Sequence, residues 1–288
     1  MTRVAGLYRL EFIVPDLGAA EDFYLNHWAM EPVADRGDSR RFRSLMASHA
    51  DLVLRRGETA RLGHVGFSVK SEQDLDALAG QLERGGFALT EAPHRSDREE
   101  EARVAAVNDP DGNRVELIVP SASASTRPPS AATIGPKRLG HVVLWTPQQQ
   151  ALETFYGALG FQVTDRTHMG MSFLRCNTDH HSVALVHSRR GRTGLQHAAF
   201  DVGSIDDVMR EYGRLRGEGV ECIWGVGRHG PGNNIFSYYL DPAGNVVEFY
   251  GEMEDWPEQE HVEPRHWGPE HRGDIWGVAG APPMPFRE

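Results

Sequence analysis

The chain has 288 residues, 40% of them hydrophobic, enough for about two domains, each with its own core. A net charge of -11, from 30 Lys plus Arg against 41 Asp plus Glu, disfavours nucleic acid and anionic membranes as partners. No apolar run approaches the roughly 20 residues of a bilayer span, the N-terminus lacks a signal-peptide pattern, and two cysteines (Cys176 and Cys222) cannot build a disulfide framework, so a cytoplasmic protein is expected.

Apolar runs rich in β-branched residues alternate with single amphipathic helices, which predicts an α+β protein. In chain order the pattern predicts strand 8–14, helix 17–28, strands near 41–47 and 51–55, strand 63–69, helix 71–84, and strands near 86–91, 102–107 and 113–119. The small-residue and proline stretch that starts at Ser121 buries no core and reads as a linker over 121–137. Beyond it the order repeats: strand 139–145, helix 147–159, strands near 161–168, 171–175 and 182–187, then strand 195–202, helix 204–217, and strands near 220–226, 235–240 and 245–250. Ser71 and Ser204 are good helix N-caps, and Gly85, Gly160 and Gly219 stand just past helix ends. Each half is thus expected to be a pair of βαβββ modules, over residues 1–120 and 138–251. A tail over 252–288 carries Trp256, Trp267 and Trp276, too much apolar area to leave loose, so it is expected to pack on the body or a neighbouring subunit.

The halves repeat each other in detail. Arg9-Leu10-Glu11-Phe12 aligns with Arg138-Leu139-Gly140-His141, the segment around His64 with that around His197, and Asp109-Pro110-Asp111-Gly112 through Glu116 with Asp241-Pro242-Ala243-Gly244 through Glu248. On this alignment the second half holds His141, His197 and Glu248 where the first holds Phe12, His64 and Glu116. Two neutral imidazoles and a carboxylate on one side of an octahedron leave open positions, the pattern of non-haem Fe(II) sites that admit substrate and dioxygen; Mn(II) accepts the same donors. With a phenyl ring in the third place, the first half is expected to be a scaffold.

Around Glu248 the chain reads His229, Tyr238, Asp241-Pro242-Ala243-Gly244, Glu248, and upstream Cys176-Asn177-Thr178-Asp179-His180-His181-Ser182-Val183-Ala184-Leu185. Over residues 6–251 this resembles the two-domain type I extradiol catechol dioxygenases of the vicinal oxygen chelate superfamily, with Ser237 a departure where the family carries an apolar residue. The resemblance implies four βαβββ modules paired into two vicinal oxygen chelate domains. It also implies metal ligands His141, His197 and Glu248, an acid/base His181, and Tyr238 with His229 on the substrate. Where some relatives place an asparagine two residues after the histidine this chain has Pro231, and Asn234 or Asn233 is the expected replacement. Strand alternation sets His181, Val183 and Leu185 on one face and His180, Ser182 and Ala184 on the other, so one histidine of the pair is expected in the pocket. The remaining histidines, including His187 and the tail's His261, His266 and His271, are expected to be solvated or packing residues.

The implied activity is Fe(II)-dependent extradiol cleavage of a catecholic ring with O2, by a homo-oligomer that needs no organic cofactor. The competing expectations are a glyoxalase-like isomerase or metal-dependent thiol transferase of the same fold, and a non-catalytic small-molecule binding protein.

Overall fold

The computed structural model describes residues 2–98, 100–122, 124, 128–257, 263–271 and 273–287; His261 lies outside them. The protein is α+β, built on two sheets. The first half contributes β1 (Gly6–Val14), α1 (Leu17–Asp22), β2 (Glu31–Arg36), β3 (Ser39–Arg43), β4 (Leu52–Arg56), β5 (Arg61–Ser68), α2 (Glu72–Arg84), β6 (Leu89–Arg95), β7 (Glu101–Asn108) and β8 (Arg114–Pro120). The second contributes β9 (Arg138–Thr146), α3 (Gln149–Ala158), β10 (Gln162–Thr167), β11 (Met171–Arg175), β12 (Val183–His187), β13 (Gly194–Gly203), α4 (Ile205–Gly217), β14 (Trp224–Arg228), β15 (Ile235–Leu240) and β16 (Val246–Gly251).

Sheet order is β2-β3-β4-β1-β5-β8-β7-β6 in the first half and β14-β15-β16-β13-β9-β12-β11-β10 in the second, so two modules meet through an antiparallel central pair in each. The second sheet gains a ninth strand, β17 (Arg265–Trp267), which the tail lays parallel to β10. β2 was not expected: Glu31-Pro32-Val33-Ala34-Asp35-Arg36 has no apolar alternation, and it forms because an edge strand needs partners on one side only. The expected helix over 17–28 ends early as an α-helix, its last turn widening to a π-type turn over Phe23–His27.

One core joins the halves. Trp28 from the first half stacks on Phe249 of the second at 3.7 Å, and Phe161 of the second meets Phe67 of the first at 5.2 Å. Tyr24 Oη donates to Asp241 at 3.0 Å, tying the first half to the turn before β16. That turn is built by its own aspartate. Asp241 accepts from the Ala243 and Asn245 amides at 2.9 and 2.8 Å, and Gly244 takes a φ of +83° that a side chain would resist.

Helix α4 starts with a full capping box, in which Ser204 accepts from the Asp207 amide and Asp207 accepts from the Ser204 amide. Ser204→Ala is expected to lower stability by about 1 kcal/mol in urea unfolding, while Ser204→Asp stays close to wild type. Equal stability of the two variants would show that the box contributes nothing.

Candidate metal centre and its surroundings

The face of the second sheet turned away from the shared core carries the chemistry. His141 and Glu248 both pair with Ala199, from β9 and β16 on its two sides, and His197 lies two residues before Ala199 on β13. Residues opposite or two apart share a face, so three adjacent strands aim these side chains at one point. Each Nε2 approaches Glu248 Oε2, His141 at 3.2 Å and His197 at 3.1 Å, and one ligand atom from each residue lies within 4.8 Å of the others. All three are buried, Glu248 completely.

The donors suit a cation better than they suit one another. Glu248 Oε2 and His197 Nε2 are buried and, despite their proximity, make no hydrogen bond. A buried orphaned carboxylate oxygen and imidazole nitrogen are costly unless an ion takes them. Burial alone would raise the Glu248 carboxyl, but His141 and His197 outweigh it and bring its pKa to about 2; burial pushes His197 below its ordinary value, toward the neutral form a ligand needs. His197 Nδ1 lies 2.6 Å from Gln196 Oε1, which fixes that nitrogen as the donor and leaves Nε2 facing the centre.

His181 and Tyr238 stand on opposite flanks of the triad. The His181 ring centroid is 4.3 Å from that of His141, and the Tyr238 ring meets His197 edge-on at 5.1 Å. Burial, reinforced by neighbouring histidines, holds His181 well below the usual imidazole pKa, so it is neutral at pH 7. His229 Nδ1 lies 2.6 Å from the Gly273 carbonyl, which can only accept, so Nε2 carries the lone pair and accepts from Tyr238 Oη at 2.8 Å. Burial and the Glu248 charge push the Tyr238 phenol well above its ordinary pKa.

Several sequence expectations need correcting. His181 does not follow the strand alternation expected of it, because β12 begins only at Val183 and the backbone before it is irregular. Ala184 and Val186 pair with Val143 and Trp145 on the site face, while Val183 and Leu185 point into the shared core. His180 is fully buried, with Nδ1 3.0 Å from His181 Nδ1. Asn234 donates to Glu248 Oε1 at 3.3 Å and so bears on a ligand carboxylate. Asn233, the other residue considered there, has its backbone carbonyl bound by Arg228 at 2.7 Å.

The first-half comparison is also out of register. There Arg9 and Glu116 both pair with Gly66, with His64 two residues earlier, so Arg9 and not Phe12 occupies the place of His141. Phe12 packs on the opposite face in the shared core. The buried Arg9 guanidinium contacts Glu101, His64 Nε2 lies 3.4 Å from Glu116 Oε2, and Arg98 reaches Glu116 at 3.0 Å. A fixed organic cation, the Arg9 guanidinium, stands where the second half has the His141 imidazole.

The tail was expected to pack somewhere, but which of its residues reach the site could not be read from sequence. Phe286 lies 4.8 Å from Tyr238 and 6.3 Å from His197, ring centre to ring centre, and Gly273 supplies the carbonyl that orients His229. Of its described histidines, His266 is exposed, and His271 sits 3.3 Å from Glu270 and edge-on to Trp267.

The sequence profile of the Glyoxalase/Bleomycin resistance protein/Dioxygenase superfamily matches residues 6–117 and again 138–249. The chain belongs to this superfamily. Among its relatives, metapyrocatechase 2 of Cupriavidus necator is 34% identical over 219 residues, covering 69% of this chain and 66% of that enzyme's length. An iron-dependent extradiol dioxygenase of Rhodococcus jostii (strain RHA1) is 28% identical over 245 residues, covering 76% and 81% of the two chains. The Mn(II)-bound glyoxalase from Novosphingobium aromaticivorans superposes with a TM-score of 0.88 at 30% identity, over 98% of this chain and 94% of that one. Among the described residues of this superfamily member, no helix is long and apolar enough to cross a membrane.

Proposed function

We propose that the protein is an extradiol ring-cleaving dioxygenase that opens a catecholic ring beside its hydroxyls and incorporates both atoms of O2. Fe(II) is the proposed metal on His141, His197 and Glu248, with Mn(II) as the alternative the same donors accept. The observation that carries this reading is the company the triad keeps: a neutral His181 beside His141 and a Tyr238–His229 pair beside His197, on one buried face. Relatives named as an iron-dependent extradiol dioxygenase and a metapyrocatechase support it.

A metal bound there supplies Lewis acidity, lowering the pKa of a coordinated hydroxyl, and a meeting point for substrate and dioxygen. The chain's own residues do the rest. His181, neutral and in reach of a ring lying over the triad, accepts a proton from the substrate and later returns it. On the other flank Tyr238 turns its one hydroxyl hydrogen from His229 to the ionised substrate oxygen. Asn234 steadies Glu248. Residues 138–251 are proposed as the catalytic half, 1–120 as its scaffold, 121–137 as the linker and 252–288 as a tail packing on the body. We propose a homo-oligomer working in the cytoplasm, which native mass measurement and cell fractionation would check.

Anaerobic loading with Fe(II), then air and a panel of monocyclic, biaryl and carboxylated catechols, tests the reading through the rise of visible absorbance from a yellow product. His181→Ala is expected to lower the rate about 10²–10⁴-fold with iron content unchanged. The second reading, a glyoxalase-like isomerase or thiol transferase, is favoured by the name of the Mn(II)-bound neighbour. It has no use for His181 or Tyr238. Turnover of a glutathione–ketoaldehyde adduct that survives His181→Ala and Tyr238→Phe, with no ring cleavage across the panel, would replace the first reading by the second. No metal uptake at all would leave a binding protein.

A further inference from the structure

Behind His181 runs a chain of buried polar groups that ends in the tail. We propose that Asp165 and His180 are positioning residues that fix the proton on His181, and that the tail strand β17 holds Asp165 in the state that lets them do so. The inference rests on the dioxygenase reading for what His181 does, but its geometry is independent of that reading.

Asp165, on β10, is fully buried yet ionised: burial would raise its carboxyl, and His180, Arg265 and Trp267 together bring it below the usual carboxylate range. Arg265 Nε donates to Oδ1 at 2.8 Å and Trp267 Nε1 to Oδ2 at 2.6 Å, both from β17, which pairs with β10 at this residue. An ionised carboxylate has only lone pairs to offer. His180 Nε2 lies 3.1 Å from Asp165 Oδ2 in a bent contact, and two facing lone pairs would repel, so this nitrogen carries the hydrogen. Holding that one hydrogen, His180 has its lone pair on Nδ1, 3.0 Å from His181 Nδ1. His181 must donate there, which puts its own lone pair on Nε2, the nitrogen that remains for the substrate. The tail thus sets a direction of donation, His181 to His180 to Asp165, that leaves His181 ready to accept a proton and spreads the charge once it has one. Gly232 keeps the loop beside this pair close, since a Cβ there would lie 3.1 Å from His180 Nδ1.

The test reads tautomers directly. Protein labelled with ¹⁵N-histidine, metal-free and then loaded with diamagnetic Zn(II), is examined by long-range ¹H–¹⁵N correlation, with His181→Gln to assign the signals. The expected wild-type result is hydrogen on Nδ1 of His181 and on Nε2 of His180. In Asp165→Asn the two rings should lose this single arrangement, and kcat for ring cleavage should fall about 10–100-fold with KM and metal content unchanged. Hydrogen on Nε2 of His181 in the wild type would overturn the proposal whether or not the protein cleaves catechols, and needs no variant to fold. Loss of kcat only in proportion to lost metal or lost stability, or no loss in Asp165→Asn, would overturn it as well. Failure of the dioxygenase reading would show instead as absent ring cleavage with the wild-type tautomers in place.

Discussion

Replacing Glu248 with alanine is expected to cut bound metal from about one equivalent per chain to under about a tenth and to lower ring cleavage by about 10³-fold or more, while Glu116→Ala leaves the metal equivalent in place. Both glutamates follow the same kind of turn, both lie on the strand parallel to the one bearing the second histidine, and both pair with a small residue, Ala199 or Gly66. What separates them is the third strand. At Ala199 the opposite neighbour is His141, an imidazole that can offer a lone pair; at Gly66 it is Arg9, which already brings a positive charge. Without Glu248 two neutral imidazoles remain, with no anion to offset the ion's desolvation. Elemental analysis after Fe(II) loading, beside initial rates, decides the matter. Glu248→Ala that keeps its metal, or Glu116→Ala that loses it equally, would remove the basis for placing the centre in the second half.

The distance between what the sequence disclosed and what it concealed follows from the range of the interactions involved. The convergence of His141, His197 and Glu248 was legible because each sits at a fixed offset in a repeated strand, and Glu248 follows a turn whose Asp241 and Gly244 carry their own local chemistry. The two sheets were legible for the same reason, since periodicity is a local signal. Register was not. Aligning Arg9-Leu10 with Arg138-Leu139 matched identical dipeptides but displaced the strands by three residues; β1 and β9 are each nine residues long and correspond from their first residue, Gly6 with Arg138. The error hid Arg9, because a charged residue in a strand reads as solvent-facing until its partners, such as Glu101 on β7, are known. Asp165 escaped likewise, since its partners come from a loop and from a three-residue strand 100 residues on.

Arg9→Leu is the change expected to cost the most stability outside the metal centre. The guanidinium is fully buried, ion-paired with Glu101 and close enough to Glu116 and Glu11 to be felt by both; burial still dominates, drawing its own pKa down to about 10. Removing one member of a buried pair strands the other, a loss of about 3–5 kcal/mol, whereas removing both leaves little uncompensated charge. Arg9→Leu should therefore unfold roughly 10 °C below wild type, and the double variant Arg9→Leu/Glu101→Leu should recover much of that loss. The penalty should also depend on pH with a definite sign. Burial would raise Glu11 and Glu116, yet His64 and the surrounding arginines bring both from 4.5 to about 2. Their contribution is present above about pH 4.5 and fades as pH falls toward 2, where protonated carboxyls no longer need a cation. The gap between Arg9→Leu and wild type should thus be widest near neutrality and narrow in acid. Calorimetry at pH 7 and pH 3.5 measures it, and a gap that widens in acid would mean that Arg9 is not the counter-charge that stands in for a metal.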